Sequence, residues 1–229
     1  MNPPSITISI PAFNEQESLE AVVRDSLSTL QRLTPDYEVL IIDDGSRDQT
    51  GELADRLAKE NPYVRVLHHP KNMGFGVTLR DVFLQPRKEW VFFIPGDGQI
   101  APQELDKLWP YHQTADVILG WRVERHDTLF RRVAAALYNR FISVVLRRRI
   151  HDVDSVVLFR RVILDGCTLS SNSAFIHAEF HLETARRGAS MKEVPIDHRP
   201  RLQGQAKGFS WMLTWRTFVD FAGYFSRRV

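Results

Sequence analysis

The first half of the chain alternates short, almost continuous apolar runs with stretches whose apolar residues recur every three or four positions. The first pattern is typical of buried strands and the second of amphipathic helices. Strands are predicted at 6–11, 37–43, 64–68, 90–95 and 116–120, and helices at 19–33, 50–59 and 75–84. Apolar strands separated by helices favour a mostly parallel central sheet with helices on both faces. The predicted fold class is therefore α/β.

The second half begins with an arginine-rich stretch, 121–149, that we predict to be helical. Further strands are predicted at 152–159 and 191–197. A helix is predicted at 178–187, because Gly188 follows it as a stop signal.

The composition is that of an ordinary globular protein, with 43% hydrophobic and 25% charged residues in a chain of 229. It argues against a disordered, fibrous or multi-span membrane protein. The single cysteine, Cys167, excludes an intrachain disulfide and suits a reducing compartment. Because the chain starts without a basic segment followed by an apolar one, we expect no targeting leader and a cytoplasmic location.

The net charge of +2 conceals an uneven distribution. Residues 1–119 carry 11 Lys and Arg against 18 Asp and Glu, a net charge of −7, whereas residues 120–229 carry 19 against 10, a net charge of +9. An acidic first half and a basic second half suggest two kinds of partner group.

Polar clusters follow three of the predicted strands, at 11–15, 43–46 and 95–99. In open α/β sheets, ligands bind at the carboxyl ends of the strands. One such cluster has an alternative reading, because Ser46 or Asp48 could cap the following helix. Three clusters at successive strand ends nevertheless indicate a ligand site.

Asp97 and Gln99 lie two residues apart in the loop after a strand, so both side chains can point the same way. A carboxylate and an amide oxygen suit Mg²⁺ or Mn²⁺. Magnesium usually completes its shell with water and substrate phosphates. So sparse a site therefore predicts a phosphorylated ligand such as a nucleoside diphosphate.

Two further segments suit a nucleotide. Asp43 and Asp44 are candidates to bind a ribose hydroxyl or a base N–H, as carboxylates do in dinucleotide folds. The glycine-rich segment 72–76 precedes a helix, and a tight turn with close helix packing explains it equally well. The segment matches neither a G-x-G-x-x-G fingerprint nor a Walker P-loop. Hydride transfer and ATP hydrolysis are therefore not predicted.

These residues resemble, in order along the chain, the motifs of family 2 glycosyltransferases, most of all the dolichol-phosphate mannosyltransferase and polyprenyl-phosphate glycosyltransferase branch. The motifs that carry the resemblance are 11–15 (PAFNE), 43–46 (DDGS), Asn72 with Gly74 and Gly76, 97–99 (DGQ), 120–122 (GWR) and 201–207 (RLQGQAK). The resemblance implies a GT-A fold and an inverting transferase. It also implies a UDP- or GDP-sugar donor, a divalent metal and, as the main expectation, a polyprenyl phosphate acceptor.

The resemblance also implies roles for individual residues. It places the donor nucleotide on Pro11, Ala12, Phe13, Glu15, Asp44 and Asp97, beside Asp43, and the metal on Asp97 and Gln99. It places the phosphate groups on four cations, namely Arg122, Arg131, Arg201 and Lys207. Asp152 falls where the family has an acid in its acceptor-side loop. Glu179 is a further acceptor-side candidate, for which a solvated helix acid is the alternative.

A single GT-A catalytic domain is expected over 1–208. Its first half, 1–119, would bind the nucleotide sugar and the metal, and its second half, 120–208, would form the acceptor side.

Two departures from the family pattern fall within these motifs. Pro95 stands where the family usually has the first acid of an Asp-x-Asp motif, which removes one potential metal ligand. Ala206 stands in place of a serine before the late lysine, on the acceptor side.

The last segment, 209–229, is aromatic and basic. Such a segment suits an interfacial helix at the cytoplasmic face of a membrane. Packing on the domain, or at a homodimer contact, accounts for it equally well.

Three other functions compete with glycosyl transfer. A sugar-phosphate nucleotidyltransferase would be expected to have a glycine-rich, lysine-bearing first loop, whereas 11–15 contains neither residue. A non-catalytic nucleotide-sugar-binding relative is suggested by Pro95 and Ala206. A nucleic-acid partner is not predicted, because the basic half carries no recognisable groove-reading motif.

Overall fold

The computed structural model describes residues 3–123, 129–200 and 211–226. The strands are β1 Ile6–Ala12, β2 Tyr37–Asp43, β3 Val64–His68, β4 Trp90–Phe93, β5 Val117–Arg122, β6 Val157–Arg160 and β7 Met191–Ile196. The α-helices are α1 Leu19–Leu33, α2 Thr50–Glu60, α3 Phe75–Leu84, α4 Leu105–Leu108, α5 Leu129–Val145, α6 Ile176–Arg186 and α7 Trp211–Ser226.

Seven strands form one sheet in the order β3-β2-β1-β4-β6-β5-β7. All neighbours pair in parallel except β6, which is antiparallel to both β4 and β5. Because β1, β2 and β4 are parallel neighbours, their carboxyl ends meet at one edge of the sheet. The prediction of a mostly parallel α/β sheet is confirmed.

The core lies on both faces of this sheet, because successive residues of a strand point to opposite sides. In β2, Val39 and Ile41 pack on one face, whereas Leu40 and Ile42 pack on the other. Apolar residues of α1 and α2 cover the first face, and those of α3 and α6 cover the second. This two-sided burial explains why the strands lack polar alternation.

The largest differences from the predicted bounds lie between residues 121 and 160. Strand β5 continues through Arg122, because Arg122 still pairs with Ile196 of β7, so the predicted helical stretch 121–149 does not start at 121, and the helix described within it is α5, Leu129–Val145. The predicted strand 152–159 is reduced to β6, because Asp152 turns aside to an ion pair with Arg122. The elements therefore change at the point where polar side chains form a site.

Helix α7 packs on the domain through part of the predicted tail. Phe221 and Tyr224 join the cluster on the second face of the sheet, and the Tyr224 hydroxyl donates to Glu183. Asp220 accepts hydrogen bonds from the backbone of Asn172 and Ser173. Within the described ranges, no helix is both long and apolar enough to cross a bilayer.

Helix α6 carries two buried histidines. His177 packs among the rings of Phe75, Phe83 and Phe93. Burial, reinforced by the positive charges of His181 and Arg122, lowers the pKa of His177 to about 3. Burial also lowers the pKa of His181 to about 4. Both rings are therefore neutral in the folded protein near neutral pH.

The lowered pKa values of the two histidines predict that the protein loses stability in acid. Since an unfolded histidine titrates near about 6.5, the unfolded chain binds more protons below that pH, and stability falls as the pH drops towards about 4 and about 3. In His177→Phe, the free energy of unfolding should fall less steeply with acid, by at most about 1.4 kcal/mol per pH unit. Urea unfolding between about pH 4.5 and about pH 7.5 measures the slope. A slope equal to that of the wild type would contradict the assignment.

Gly76, in the first turn of α3, allows close contact with the loop before α6. A Cβ on Gly76 would lie 2.2 Å from the carbonyl carbon of Asn172 and 2.5 Å from the nitrogen of Ser173. Because these are backbone atoms, a side chain at Gly76 would fit only if the whole loop before α6 moved.

We therefore predict that Gly76→Ala destabilises the protein by about 1–3 kcal/mol, the usual cost of overpacking, although alanine favours a helix. Gly51→Ala in α2 is the control, because its nearest neighbour is a side-chain oxygen of Asp43 at 3.1 Å. Urea unfolding compares the two variants. An equal or smaller loss at Gly76 would refute the steric explanation.

Candidate functional site

A cavity of about 440 Å³ opens at the carboxyl ends of β1, β2 and β4. Its lining residues are Pro11, Ala12, Phe13, Glu15, Asp44, Asn72, Gly74, Phe75, Thr78, Pro95, Gly96 and Asp97. The three polar strand ends therefore meet around one space. Two apolar rings and three buried or half-buried carboxylates give this space both stacking surfaces and hydrogen-bond acceptors.

Six of the residues predicted to bind a nucleotide sugar line this cavity, namely Pro11, Ala12, Phe13, Glu15, Asp44 and Asp97. Asp43 is not among the lining residues. Its Oδ1 accepts from the backbone N–H of Ser46 at 3.0 Å, and its Oδ2 lies 2.9 Å from Nδ1 of His68. The carboxylate of Asp43 thus stabilises the turn after β2.

Asp44 is buried and holds the cavity wall formed by the turn before α3. Its Oδ1 accepts from the backbone N–H of Met73 at 2.7 Å, and its Oδ2 accepts from that of Gly74 at 3.1 Å. Oδ1 also lies 2.8 Å from Nδ1 of His69. These contacts take three of the four lone-pair sites of the carboxylate. Among the described residues no donor occupies the fourth site, on Oδ2, which can therefore accept from a ligand.

The segment after β1 is held by a side chain of the turn before α2 and by one at the start of α2. The hydroxyl of Ser46 accepts from the backbone N–H of Asn14 at 3.0 Å, and that of Thr50 accepts from Glu15 at 2.8 Å. Asn14 adopts a positive φ of 54°. Asp48 Oδ1 accepts from the N–H of Thr50, the first residue of α2. Ser46 therefore ties two loops together, and Asp48 supports the start of the helix.

The loop after β4 carries the predicted metal ligands. The N–H of Gly96 donates to the carbonyl of Pro11 at 3.2 Å, and a Cβ on Gly96 would lie 2.8 Å from the same oxygen. Asp97 Oδ1 accepts from the backbone N–H of Gln99 at 3.1 Å, which brings the two residues together. The remaining carboxylate oxygen and the Gln99 amide are hard-oxygen donors. They fit a divalent ion whose shell is completed by phosphate and water.

Arg122 and Asp152, both predicted on the acceptor side, form a bidentate ion pair. Nε of Arg122 lies 2.7 Å from Oδ2 of Asp152, and Nη2 lies 2.9 Å from Oδ1. The Asp152 side chain is 4% exposed and that of Arg122 is 19% exposed. Parallel bonds of this kind fix the plane of the guanidinium. The charges of both partners also affect the pKa of buried His177, because Arg122 lowers it and Asp152 raises it.

The other predicted cations are less defined. Arg131 lies in helix α5, with its side chain outside the described part of the structure. Arg201 and Lys207 lie outside the described residues altogether.

Glu179 is buried rather than solvated, at 1% exposure. Its carboxylate accepts from the backbone N–H groups of Ser170 and Ser171 and from the Ser170 hydroxyl. Glu179 therefore organises the loop before α6, and its oxygens point to that loop's backbone.

Sequence reasoning did not find Phe75, Thr78, His69 or His177. The first two line the cavity because the turn at 72–76 directs the start of α3 towards β4. That glycine-rich turn was the available signal. The histidines gave none, because adjacent histidines and a helical histidine are unremarkable in a sequence.

Comparison with known proteins identifies the fold and the family. The chain matches the family model of glycosyl transferase family 2 over residues 7–167. A crystal structure of a mycobacterial protein superposes with a TM-score of 0.72 at 18% identity, covering 98% of this chain and 74% of the other. Glucosyl-3-phosphoglycerate synthase from Mycobacterium tuberculosis, in complex with Mn²⁺, UDP-glucose and phosphoglyceric acid, gives 0.68 at 19% identity, covering 98% and 79%.

The predicted GT-A fold is confirmed by these structures, and the family model extends over most of the chain, including β1 to β6. The nucleotidyltransferase alternative loses its basis. The chain belongs to glycosyl transferase family 2 and is a glycosyltransferase.

Proposed function

We propose that the protein transfers a sugar from a UDP- or GDP-sugar to an acceptor phosphate, with inversion at the anomeric carbon. The observation that carries this proposal is the cavity at the ends of β1, β2 and β4, with Asp44 on one wall and Asp97 on another. We expect the first carboxylate to bind the nucleoside and the second to lie at the diphosphate end.

The donor's nucleoside fits the part of the cavity near Asp44. The remaining lone pair of Oδ2 can accept from a base N–H or a ribose hydroxyl. Phe13 and Phe75 supply apolar surface for the flat base. The segment 11–15 would hold the nucleoside in place because its backbone is fixed by Ser46 and Thr50.

Asp97 and Gln99 would hold Mg²⁺ or Mn²⁺ on the donor diphosphate. When bound, the ion neutralises charge that develops on the departing nucleoside diphosphate. Pro95, in place of the first acid of the Asp-x-Asp motif, leaves the ion more dependent on phosphate oxygens. The structure of the M. tuberculosis synthase with Mn²⁺ and UDP-glucose supports this choice of metal and donor.

The acceptor phosphate would meet Arg122, fixed by Asp152, together with Arg131, Arg201 and Lys207. A phosphate monoester has a second pKa of about 6, so its oxygen is already largely ionised near neutral pH. No protein general base is then required. The phosphate oxygen attacks C1, the bond from C1 to the diphosphate oxygen breaks, and the electron pair leaves with the nucleoside diphosphate. Catalysis rests on alignment and charge.

We propose a polyprenyl phosphate as the acceptor, following the resemblance of the motifs to the polyprenyl-phosphate branch. A small phosphorylated acid is the second candidate, because a relative is a glucosyl-3-phosphoglycerate synthase with bound phosphoglyceric acid. Both share the phosphate chemistry of the Arg122 region. They differ in whether the acceptor lies in a membrane.

A peripheral, cytoplasmic-side membrane contact is supported by one face of α5. Leu137, Phe141 and Val144 are 64%, 46% and 69% exposed. Their spacing of four and three residues puts them on one side of the helix. Exposed arginines lie beside and after them, at Arg140 and 147–149. An exposed face that is both apolar and basic suits an anionic bilayer surface.

The donor assignment predicts that Asp97→Ala lowers kcat for sugar transfer by about 100-fold or more, the scale of one lost electrostatic contact in a transition state. Lys207→Ala should remove most transfer as well. Asp106→Ala, at an exposed surface pair with Arg32, is the control and should leave turnover unchanged. Near wild-type turnover by either of the first two variants would overturn the scheme.

The assay combines UDP- and GDP-sugars, Mn²⁺ or Mg²⁺, and either a short polyprenyl phosphate or 3-phosphoglycerate. Transfer to only one acceptor decides between the two candidates. Failure of the wild type to bind any nucleotide sugar would contradict the proposed function.

The membrane contact predicts that Leu137→Ser together with Val144→Ser lowers binding to anionic phospholipid vesicles by about tenfold, since each loses buried apolar area. Val162→Ser is the control, because Val162 is 54% exposed but belongs to the turn Arg161–Leu164 after β6 rather than to α5. Vesicle co-sedimentation measures the effect. Equal partitioning of all variants would exclude this face of α5 as the contact.

A further inference from the structure

His69 lies just after β3 with its ring between two carboxylates. Its Nδ1 is 2.8 Å from Oδ1 of Asp44, and its Nε2 is 2.9 Å from Oδ2 of Asp81 in helix α3. The His69 side chain is 7% exposed, that of Asp44 is 6% exposed, and that of Asp81 is 23% exposed. The bridge thus crosses from β2 to α3 almost out of contact with solvent.

This geometry defines the protonation of the ring. An ionised carboxylate only accepts hydrogen bonds, so both ring nitrogens must carry a proton to satisfy both contacts. Burial opposes the charge, but the hydrogen bonds and charges of Asp44 and Asp81 outweigh it and raise the pKa of His69. Two carboxylates at these distances therefore favour an imidazolium with both ring nitrogens protonated.

The bridge lies directly behind the donor cavity. Asp44 lines the cavity and also binds the backbone of Met73 and Gly74 at its rim. The other end of the bridge belongs to α3, whose first turn supplies Phe75 and Thr78 to the cavity wall. His69 itself is not among the lining residues. It can act on a ligand only through Asp44 and α3.

We propose that His69 is a positioning residue of the donor site, which in its charged form holds Asp44 at a fixed distance from α3 and so sets the width of the nucleoside end of the cavity. The inference rests on the proposed nucleotide-sugar function. It adds a residue and a protonation state that the donor site requires.

A second bridge beside the first provides an internal comparison. His68 lies with Nδ1 2.9 Å from Oδ2 of Asp43 and Nε2 3.3 Å from Oδ1 of Asp55 in α2. Its side chain is 40% exposed and that of Asp55 is 59% exposed. Neither Asp43 nor α2 lines the donor cavity. The same chemistry therefore occurs once at the donor site and once away from it.

The sign of the pH effect follows from the raised pKa of His69. Asp44, directly after β2, and Asp81 of α3 are the charged side chains that face its ring within the described structure. The charged bridge is complete at low pH and is lost as the pH rises through the folded-state pKa. Nucleotide affinity should therefore decrease on the alkaline side. Weakening either anion should move that decrease to lower pH.

The test compares Asp81→Asn with Asp55→Asn in the full chain. Each replaces one anion of a bridge by a neutral amide that can still accept a hydrogen bond. The probes are UDP and GDP, each with Mn²⁺, and dissociation constants are measured by calorimetry from about pH 6 to about pH 9. Titration of the nucleotide itself is common to all variants.

We expect Asp81→Asn to shift the alkaline loss of affinity to lower pH and Asp55→Asn to leave it in place. His69→Gln should weaken binding about tenfold, the scale of one hydrogen bond to a charged group, and should lack the alkaline loss. Thermal unfolding at each pH confirms that the variants are folded. An unchanged pH profile in Asp81→Asn, or wild-type affinity in folded His69→Gln, would overturn the proposal.

Nitrogen-15 NMR of the histidine rings separates this proposal from the proposed function. If the wild type binds neither nucleotide, the proposed function fails, and the bridge is judged from the spectrum alone. A His69 ring with both nitrogens protonated at neutral pH, titrating at lower pH in Asp81→Asn, supports the charged bridge. A neutral ring at that pH refutes it.

Discussion

The donor end of the molecule depends on the need to pair a buried carboxylate. An unpaired charge in a protein interior is very unfavourable, so Asp44 can remain at the end of β2 only if donors surround it. Two backbone N–H groups and the His69 ring supply them. The N–H donors belong to the turn before helix α3, and the His69 ring contacts that helix. The position of the carboxylate therefore constrains both the turn and the helix. The cavity takes its shape from this one requirement.

The acceptor half meets the same constraint with different partners. Asp152 is paired with Arg122, Glu179 with the backbone of the loop before α6, and Asp220 of α7 with the next residues of that loop. The backbone of this loop also packs directly against Gly76 of α3. Helix α7 is thereby connected, through packed polar contacts, to the helix that forms one wall of the donor cavity. Several carboxylates thus organise loops, whatever they do in catalysis.

The succession of strands along the first half and the ligand site at three polar strand ends were predictable, because apolar periodicity defines strands and parallel neighbours share an edge. The pairing of side chains across the fold was not. Asp43 and Asp44 look equivalent in sequence, yet one stabilises a turn and the other lines the cavity. Their difference arises from β3, which places His68 and His69 on opposite sides of a strand end. Glu179 likewise has no local signature of the loop it holds.

The aromatic tail shows why an amphipathic pattern alone does not identify the surface that covers the apolar face of a helix. Phe221 and Tyr224 pack into the core beside Phe175, while Leu137 and Val144 of α5 remain exposed with arginines nearby. Both patterns have helical spacing, and only the fold reveals which face is already covered. Basic side chains of the second half therefore stand in different surroundings that the sequence does not distinguish. Arg122 lies half-buried against Asp152 at the end of β5, whereas Arg140 of α5 and the arginines at 147–149 lie at the surface.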